Sequence, residues 1–175
     1  CFKNFRLGKL LGEEVLNTVV FSEKSVIGTS VLFFLAEKQG GGLELLSDND
    51  CYLSQLITAE CLNHVIDEHK SKFRGLSVAY RLAASDMGKL ILSNADCRVA
   101  SLLSAEALNS TAKVKGKRGF SVAFWLATNE VGMVSLMHDN FHLVSLIDES
   151  TLNCVIHEGG NQGLSVALCL AGTRA

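Results

Sequence analysis

At 175 residues, 48% of them hydrophobic, the chain is long enough to bury a core and suits one ordinary domain. Its net charge of −2 supplies no whole-chain field toward nucleic acid or an anionic membrane, and apolar runs such as "VLFFLA" at 31–36 fall far short of the roughly 18–20 residues that cross a bilayer. Proline is absent, which disfavours Pro-rich linkers and a loop-dominated all-β fold.

The chain opens "CFKNFRLGKL", with neither Met nor the long apolar stretch of a signal peptide, and its opening cysteine reads as the start of an excised piece. The apolar pair Leu10-Leu11 comes first, then Leu16-Asn17, then "GTSVLFFLA" from Gly28. The same three signals then recur in phase. Near-copies of the glycine-led phrase begin at Gly75, Gly119 and Gly163, at spacings of 47, 44 and 44. Leu-Asn returns at Leu62-Asn63, Leu108-Asn109 and Leu152-Asn153, and the apolar pair at Leu56-Ile57, Leu102-Leu103 and Leu146-Ile147. Such a period marks units that bury their apolar faces only against their neighbours. The expected organisation is one helical-repeat domain over 1–175, about three and a half units in the register 12–57, 58–103, 104–147 and 148–175. No polar capping copy stands at either end, so the parent protein is expected to continue.

Within a unit the punctuation is helical. Thr58, Ser104 and Asp148 stand where the N-cap of a Leu-Asn helix belongs, and Leu62, Val65 and Ile66 form its apolar face. Ser30, Ser77, Ser121 and Ser165 cap the next helix, whose V-[AL]-x-x-L-A pattern gathers small and apolar residues on one arc for close helix–helix approach. Gly41, Gly88 and Gly132 are expected to end that helix and start a second short one carrying Leu45, Leu92 and Leu136. Asp50, Asp96 and Asn140 are expected to cap a further helix in "CYLSQLI", "CRVASLL" and "FHLVSLI". Three or four short helices per unit and no sustained period-2 alternation give an all-α solenoid.

The residue types that carry chemistry are accounted for structurally. Of the six cysteines none forms a C-x-x-C pair, and sister copies replace Cys51 and Cys97 by Phe141, Cys61 by Ala107 and Thr151, and Cys169 by Phe34, Arg81 and Trp125. Such cysteines fill space, which implies free thiols and a reducing, cytoplasmic compartment. His138 and His142 have the i, i+4 spacing of a metal pair, but no third ligand recurs nearby, and no metal is expected. His64, His69 and His157 are isolated and read as solvated. The recurring serines serve as caps, and "HEGGNQG" at 157–163 lacks the Gly-Lys-Ser/Thr of a P-loop, so neither enzyme activity nor a cofactor is expected. Asn17, Asn63, Asn109 and Asn153 either read successive bases or peptide amides, or satisfy backbone groups of the adjoining loop as a structural ladder. The ladder is the expectation, because buried amides need partners and a stacked repeat supplies them.

The pattern Gly-x-Ser-Val-x-x-x-Leu-Ala, followed five residues later by Gly and then by Leu, resembles ankyrin repeats. That family opens its first helix with Gly-x-Thr-Pro-Leu-His-x-Ala and leads its second with Gly. Here Ser30, Ser77, Ser121 and Ser165 match the Thr, Ala36, Ala83, Ala127 and Ala171 fall near the Ala, and Gly41, Gly88 and Gly132 match the second Gly. The family's Pro and His are missing, and the period exceeds the usual roughly 33 residues by the length of the Leu-Asn helix. Armadillo and HEAT units have a similar period and stay open as alternatives. Helix-padded arrays of this kind are similar to those of effectors from intracellular bacteria. The resemblance implies a protein–protein interaction module acting on a host protein in the host cytosol.

Two surfaces are the candidates for that work. The loops after the Leu-Asn helices should stack along one edge, setting Lys70, Lys72 and Arg74 beside Lys113, Lys115, Lys117 and Arg118 as a basic strip, diluted by Asp67 and Glu68. The resemblance makes this edge a binding edge, for an acidic protein segment or a phosphate. The fourth residue after each capping Ser varies freely, as Phe34, Arg81, Trp125 and Cys169, opposite the conserved-type arc. Trp and Arg are hot-spot types, and inter-repeat packing is the competing role for the two aromatics. A regulatory or spacer segment of a parent enzyme is the second functional reading. Nucleic-acid binding fits least, because the charge is near neutral and no aromatic–basic interleave is evident.

Overall fold

A computed structural model describes residues 11–21, 27–36, 46, 51–139 and 141–172. Among these the regular structure is helical, without a strand. In chain order the helices are α1 (Glu13–Asn17), α2 (Val31–Leu35), α3 (Tyr52–Leu56), α4 (Ala59–Asn63), α5 (Val78–Ala83), α6 (Asp86–Leu92), α7 (Arg98–Ser101), α8 (Ala105–Asn109), α9 (Val122–Ala127), α10 (Glu130–Met137), α11 (Leu143–Leu146), α12 (Glu149–Asn153) and α13 (Val166–Gly172), with a 3-10 turn at Gly159–Asn161 before the last. Leu10, Gly41, Leu45, Asp50 and Asn140, named above, lie outside the described residues.

Helices of four to eight residues do not hold in isolation, because the nucleation cost exceeds what so few backbone bonds return. Capping and packing supply the difference. The hydroxyls of Ser30, Ser77, Ser121 and Ser165 each accept the backbone N–H three residues on, at 3.2, 3.0, 3.1 and 3.2 Å. Thr58, Ser104 and Asp148 do the same for α4, α8 and α12 at 3.2, 3.2 and 2.7 Å. Below the caps one apolar core runs from Leu16 to Val166. Helices at equivalent places in successive copies pack on one another: α2 on α5, α5 on α9, α9 on α13, α6 on α10 and α3 on α7.

The asparagines tie these layers together. Asn17 donates through Nδ2 to Glu13 O at 2.8 Å and to Leu56 O at 2.7 Å, while its Oδ1 accepts from Thr58 N at 3.3 Å. Asn63 repeats this with Ala59 O, Leu102 O and Ser104 N at 2.7, 2.7 and 2.9 Å. Asn109 repeats it again with Ala105 O, Leu146 O and Asp148 N at 2.8, 2.7 and 3.2 Å. Each carboxamide thus bonds the last turn of its own helix and clamps a carbonyl and an N–H two residues apart in the following copy. This is the structural ladder, and it uses both donors and the acceptor.

The loop of each copy is pinched at its base by a pair of backbone bonds. Ile66 N donates to Leu76 O and Gly75 N to Ile66 O, and the pairs Val20/Thr29, Ala112/Phe120 and Ile156/Leu164 repeat the arrangement. Gly28, Gly75, Gly119 and Gly163 sit in each pinch at φ of 84°, 80°, 91° and 87°, a region open to glycine at little cost. This is why the phrase starts with Gly.

Two local expectations are corrected. Gly88 and Gly132 do not end a helix; they lie inside α6 and α10, whose N-caps are Ser85 and Asn129. Their role is close approach, since a Cβ on Gly88 or Gly132 would collide with the backbone of Leu82 or Leu126. Asp96 does not cap α7: the N-cap is Cys97, which makes no side-chain cap bond. Intrinsic propensity favours Ala over Gly in a helix by about 1 kcal/mol, whereas overpacking costs about 1–3 kcal/mol. Gly88→Ala is therefore expected to destabilise the protein, read as a lower urea midpoint at unchanged slope; a raised midpoint would contradict the packing role.

Candidate binding surface

The loops meet across copies as their place in the repeat requires. Lys113 N donates to Arg74 O at 3.2 Å, and a Cβ on Gly75 would press on the Thr111–Lys113 backbone. The strip formed there is less basic than the sequence suggests. Asp67 Oδ1 receives both Arg74 Nε at 3.4 Å and Lys113 Nζ at 3.1 Å, and Glu158 Oε1 lies 3.9 Å from Arg118 Nε. The Glu158 carboxylate also accepts the backbone N–H groups of Gly116 and Arg118. Arg74, Lys113 and Arg118 are thus engaged by carboxylates that hold one loop to the next. Lys70, Lys72, Lys115 and Lys117 are exposed.

The variable row divides into two clusters. In the first, Phe34 is 37% exposed and sets its ring 6.2 Å from that of Phe73, edge to face. Arg81 lies with its guanidinium over the rings of Phe33 at 4.7 Å and Phe73 at 5.0 Å, and Lys72 Nζ stands 4.9 Å over Phe73. Row and loop edge therefore join at Phe73, an aromatic set between Lys72 and Arg74. The sequence reading missed both this residue and the aromatic–basic alternation around it. In the second cluster, Trp125 is half-buried, stacked on Phe120 at 5.0 Å and edge-on to Tyr80 of the preceding copy at 6.5 Å. Lys89 Nζ, bonded to Asp86 at 3.1 Å, approaches that indole at 5.8 Å. Trp125 thus has a packing role. Cys169 is half-buried against the core.

Several of the groups weighed for chemistry have backbone or hydroxyl partners. His142 Nε2 donates to Ala100 O at 3.0 Å, a bond between copies. Arg98, at the same repeat position, reaches back to Ser54 O at 2.7 Å and Ile57 O at 3.1 Å. Among the described residues no three His, Cys, Asp or Glu side chains converge as metal ligands. The five described cysteines are free thiols, and burial pushes that of Cys61 up, with Ser30 Oγ at 3.2 Å from its sulfur. His64 departs from the solvated reading: its Nε2 is buried without a hydrogen-bond partner, on the wall of a cleft of about 680 Å³ between α1 and α4 rimmed by Glu13, Glu14 and Glu60. No helix among the described residues is long and apolar enough to cross a membrane.

No protein-family model matches the chain, and no curated protein or solved structure matches it.

Lys113, and after it Arg74, hold the exposed Asp67 carboxyl below its ordinary pKa of 3.8. A depressed carboxyl stabilises the folded state above the ordinary aspartate range, and that contribution is lost as pH falls through the lowered value. A carboxyl-detected NMR titration should find Asp67 below the usual range in the native protein and closer to it in Lys113→Ala. An unchanged titration would show that the loops do not meet there.

Proposed function

We propose that this chain is a protein–protein interaction module, an ankyrin-like helical solenoid that holds an acidic segment of another protein against Phe34, Phe73, Arg81 and Lys72. The observation that carries the reading is the junction of the variable row with the loop edge. There an exposed phenyl ring adjoins a second ring flanked by two cations, with Lys70 close by in sequence. An aromatic shelf supplies apolar area at low entropic cost, and lysine and arginine beside it select a partner carrying carboxylates. The array presents this shelf by stacking, and its mechanism is shape and differential contact, without a chemical step. The resemblance to effector arrays makes a host protein the partner in this reading.

Trp125 is left intact in the test, because removing an aromatic packed as it is costs on the order of 3 kcal/mol or more and would confuse loss of fold with loss of surface. A Phe34→Ala, Lys72→Glu, Lys115→Glu variant alters exposed side chains and should keep the native circular dichroism. In affinity capture from a eukaryotic lysate, a protein retained by the native chain and lost by this variant is the expected result. Equal capture by both chains would remove the surface from the reading.

A further inference from the structure

The outward side of α6 is apolar, and so is that of α10, which packs beside it from the following copy. Met87 and Leu90 on α6 are 41% and 45% exposed, and Val131 and Val134 at the same repeat positions on α10 are 45% and 56% exposed. Residues three apart share one side of a helix. The core side is taken by Gly88, Ile91 and Leu92 on α6 and by Gly132, Ser135 and Leu136 on α10. The copy that holds α6 has another before it and another after it in the chain, so Met87 and Leu90 are not a surface that a neighbouring copy covers. Met137 is different: its counterpart Ser93 is buried, with Ser135 Oγ of the following copy 3.4 Å from its hydroxyl. The outward face is therefore Met87, Leu90, Val131 and Val134.

Acids frame this face. Asp86 and Glu130 immediately precede the two apolar pairs, Asp96 and Asp139 follow the two helices, and all four are exposed. α10 contains no cation, and that of α6, Lys89, is buried with its Nζ on Asp86 at 3.1 Å. The helix dipole favours acids in a first turn, which suits Asp86 and Glu130, but it disfavours Asp139, just past the C-cap of α10. The face is thus apolar at its middle and negative at its margins, opposite in sign to the lysines of the loop edge.

We propose that the α6–α10 face is a second docking surface and that its occupant is a basic amphipathic helix of another protein. Packed helices lie about 8–10 Å apart and residues three apart rise about 4.5 Å, so the four side chains form a small array. One helix laid on it buries apolar residues spaced three and four apart against Met87, Leu90, Val131 and Val134. Lysines or arginines at its flanks meet Asp86, Glu130 and Asp139, and the same carboxylates repel an acidic segment or an anionic membrane surface. The shelf at Phe34 and Phe73 selects carboxylates and this face selects cations, so the two do not compete for one partner segment.

The probe is a synthetic amphipathic helix of leucine and lysine, about four turns long, with a leucine–glutamate helix of the same pattern as its control. Methyl NMR of the 175-residue protein should show one-to-one binding of the lysine peptide, with shifts centred on Met87, Leu90, Val131 and Val134. Leu90→Ser with Val134→Ser removes apolar area at exposed positions, so this variant should keep the native circular dichroism and bind about tenfold more weakly. Glu130→Lys should also weaken binding, and added salt should narrow its difference from the native chain. Phe34→Ala should leave binding unchanged, which separates this test from that of the shelf. No binding, equal binding of the glutamate peptide, or binding that survives Leu90→Ser with Val134→Ser would overturn the proposal. A native dimer that the same double substitution dissolves would overturn it too, with a second copy as the occupant, as would shifts of these methyls on vesicles of anionic lipid.

Discussion

The Asn63 side chain reaches in two directions at once, donating to Ala59 O in its own helix and to Leu102 O of the following copy while accepting from Ser104 N. No other side chain of this size can do so. Aspartate has no donor, leucine has neither donor nor acceptor, and glutamine would place the amide one methylene too far out. A part-buried backbone group left unpaired costs about 1–3 kcal/mol, and one carboxamide serves both a carbonyl and an N–H at each junction. Helices of five residues have little stability to set against such a loss, so the stacking of α4, α8 and α12 depends on these clamps.

Around that framework the molecule separates what must recur from what is allowed to differ. Gly75 and Gly119 close the loop, Ser77 and Ser121 cap the helix, and Gly88 and Gly132 let α6 and α10 lie against the backbone of α5 and α9. The fourth residue after the cap has no role common to all copies: it is Phe34 and Arg81 in two of them and, in a third, Trp125 packed on Phe120 and Tyr80. Two of these three meet at Phe73, on a loop that is itself held in place by Asp67. The residues that differ from copy to copy thus sit on a frame built by those that recur.

Much of the frame was legible in the sequence because its causes are local. A serine ahead of an apolar run caps within three residues, and a Leu-Asn pair in phase with two other markers announces a role common to all copies. What depends on three-dimensional approach was misread. Glycine is a helix breaker by propensity, and nothing local says that Gly88 faces the Leu82 carbonyl, or that Cys97 and not Asp96 begins α7. The basic loops were visible as a charge pattern, but Lys113 finds Asp67 across 46 residues of sequence, and only the stacking of the loops brings them together. Phe73 went unnoticed for the same reason, since its meaning lies in Phe34 and Arg81.

The claim on which the rest stands is that Asn17, Asn63 and Asn109 are clamped between copies, whereas Asn153 makes only its intrahelical bond among the described residues. Hydrogen exchange of the side-chain amides, followed by NMR, tests it without altering the protein. The Nδ2 protons of Asn17, Asn63 and Asn109 should exchange slowly, and those of Asn153 at close to the rate of a solvated amide. Four asparagines exchanging alike would contradict the account.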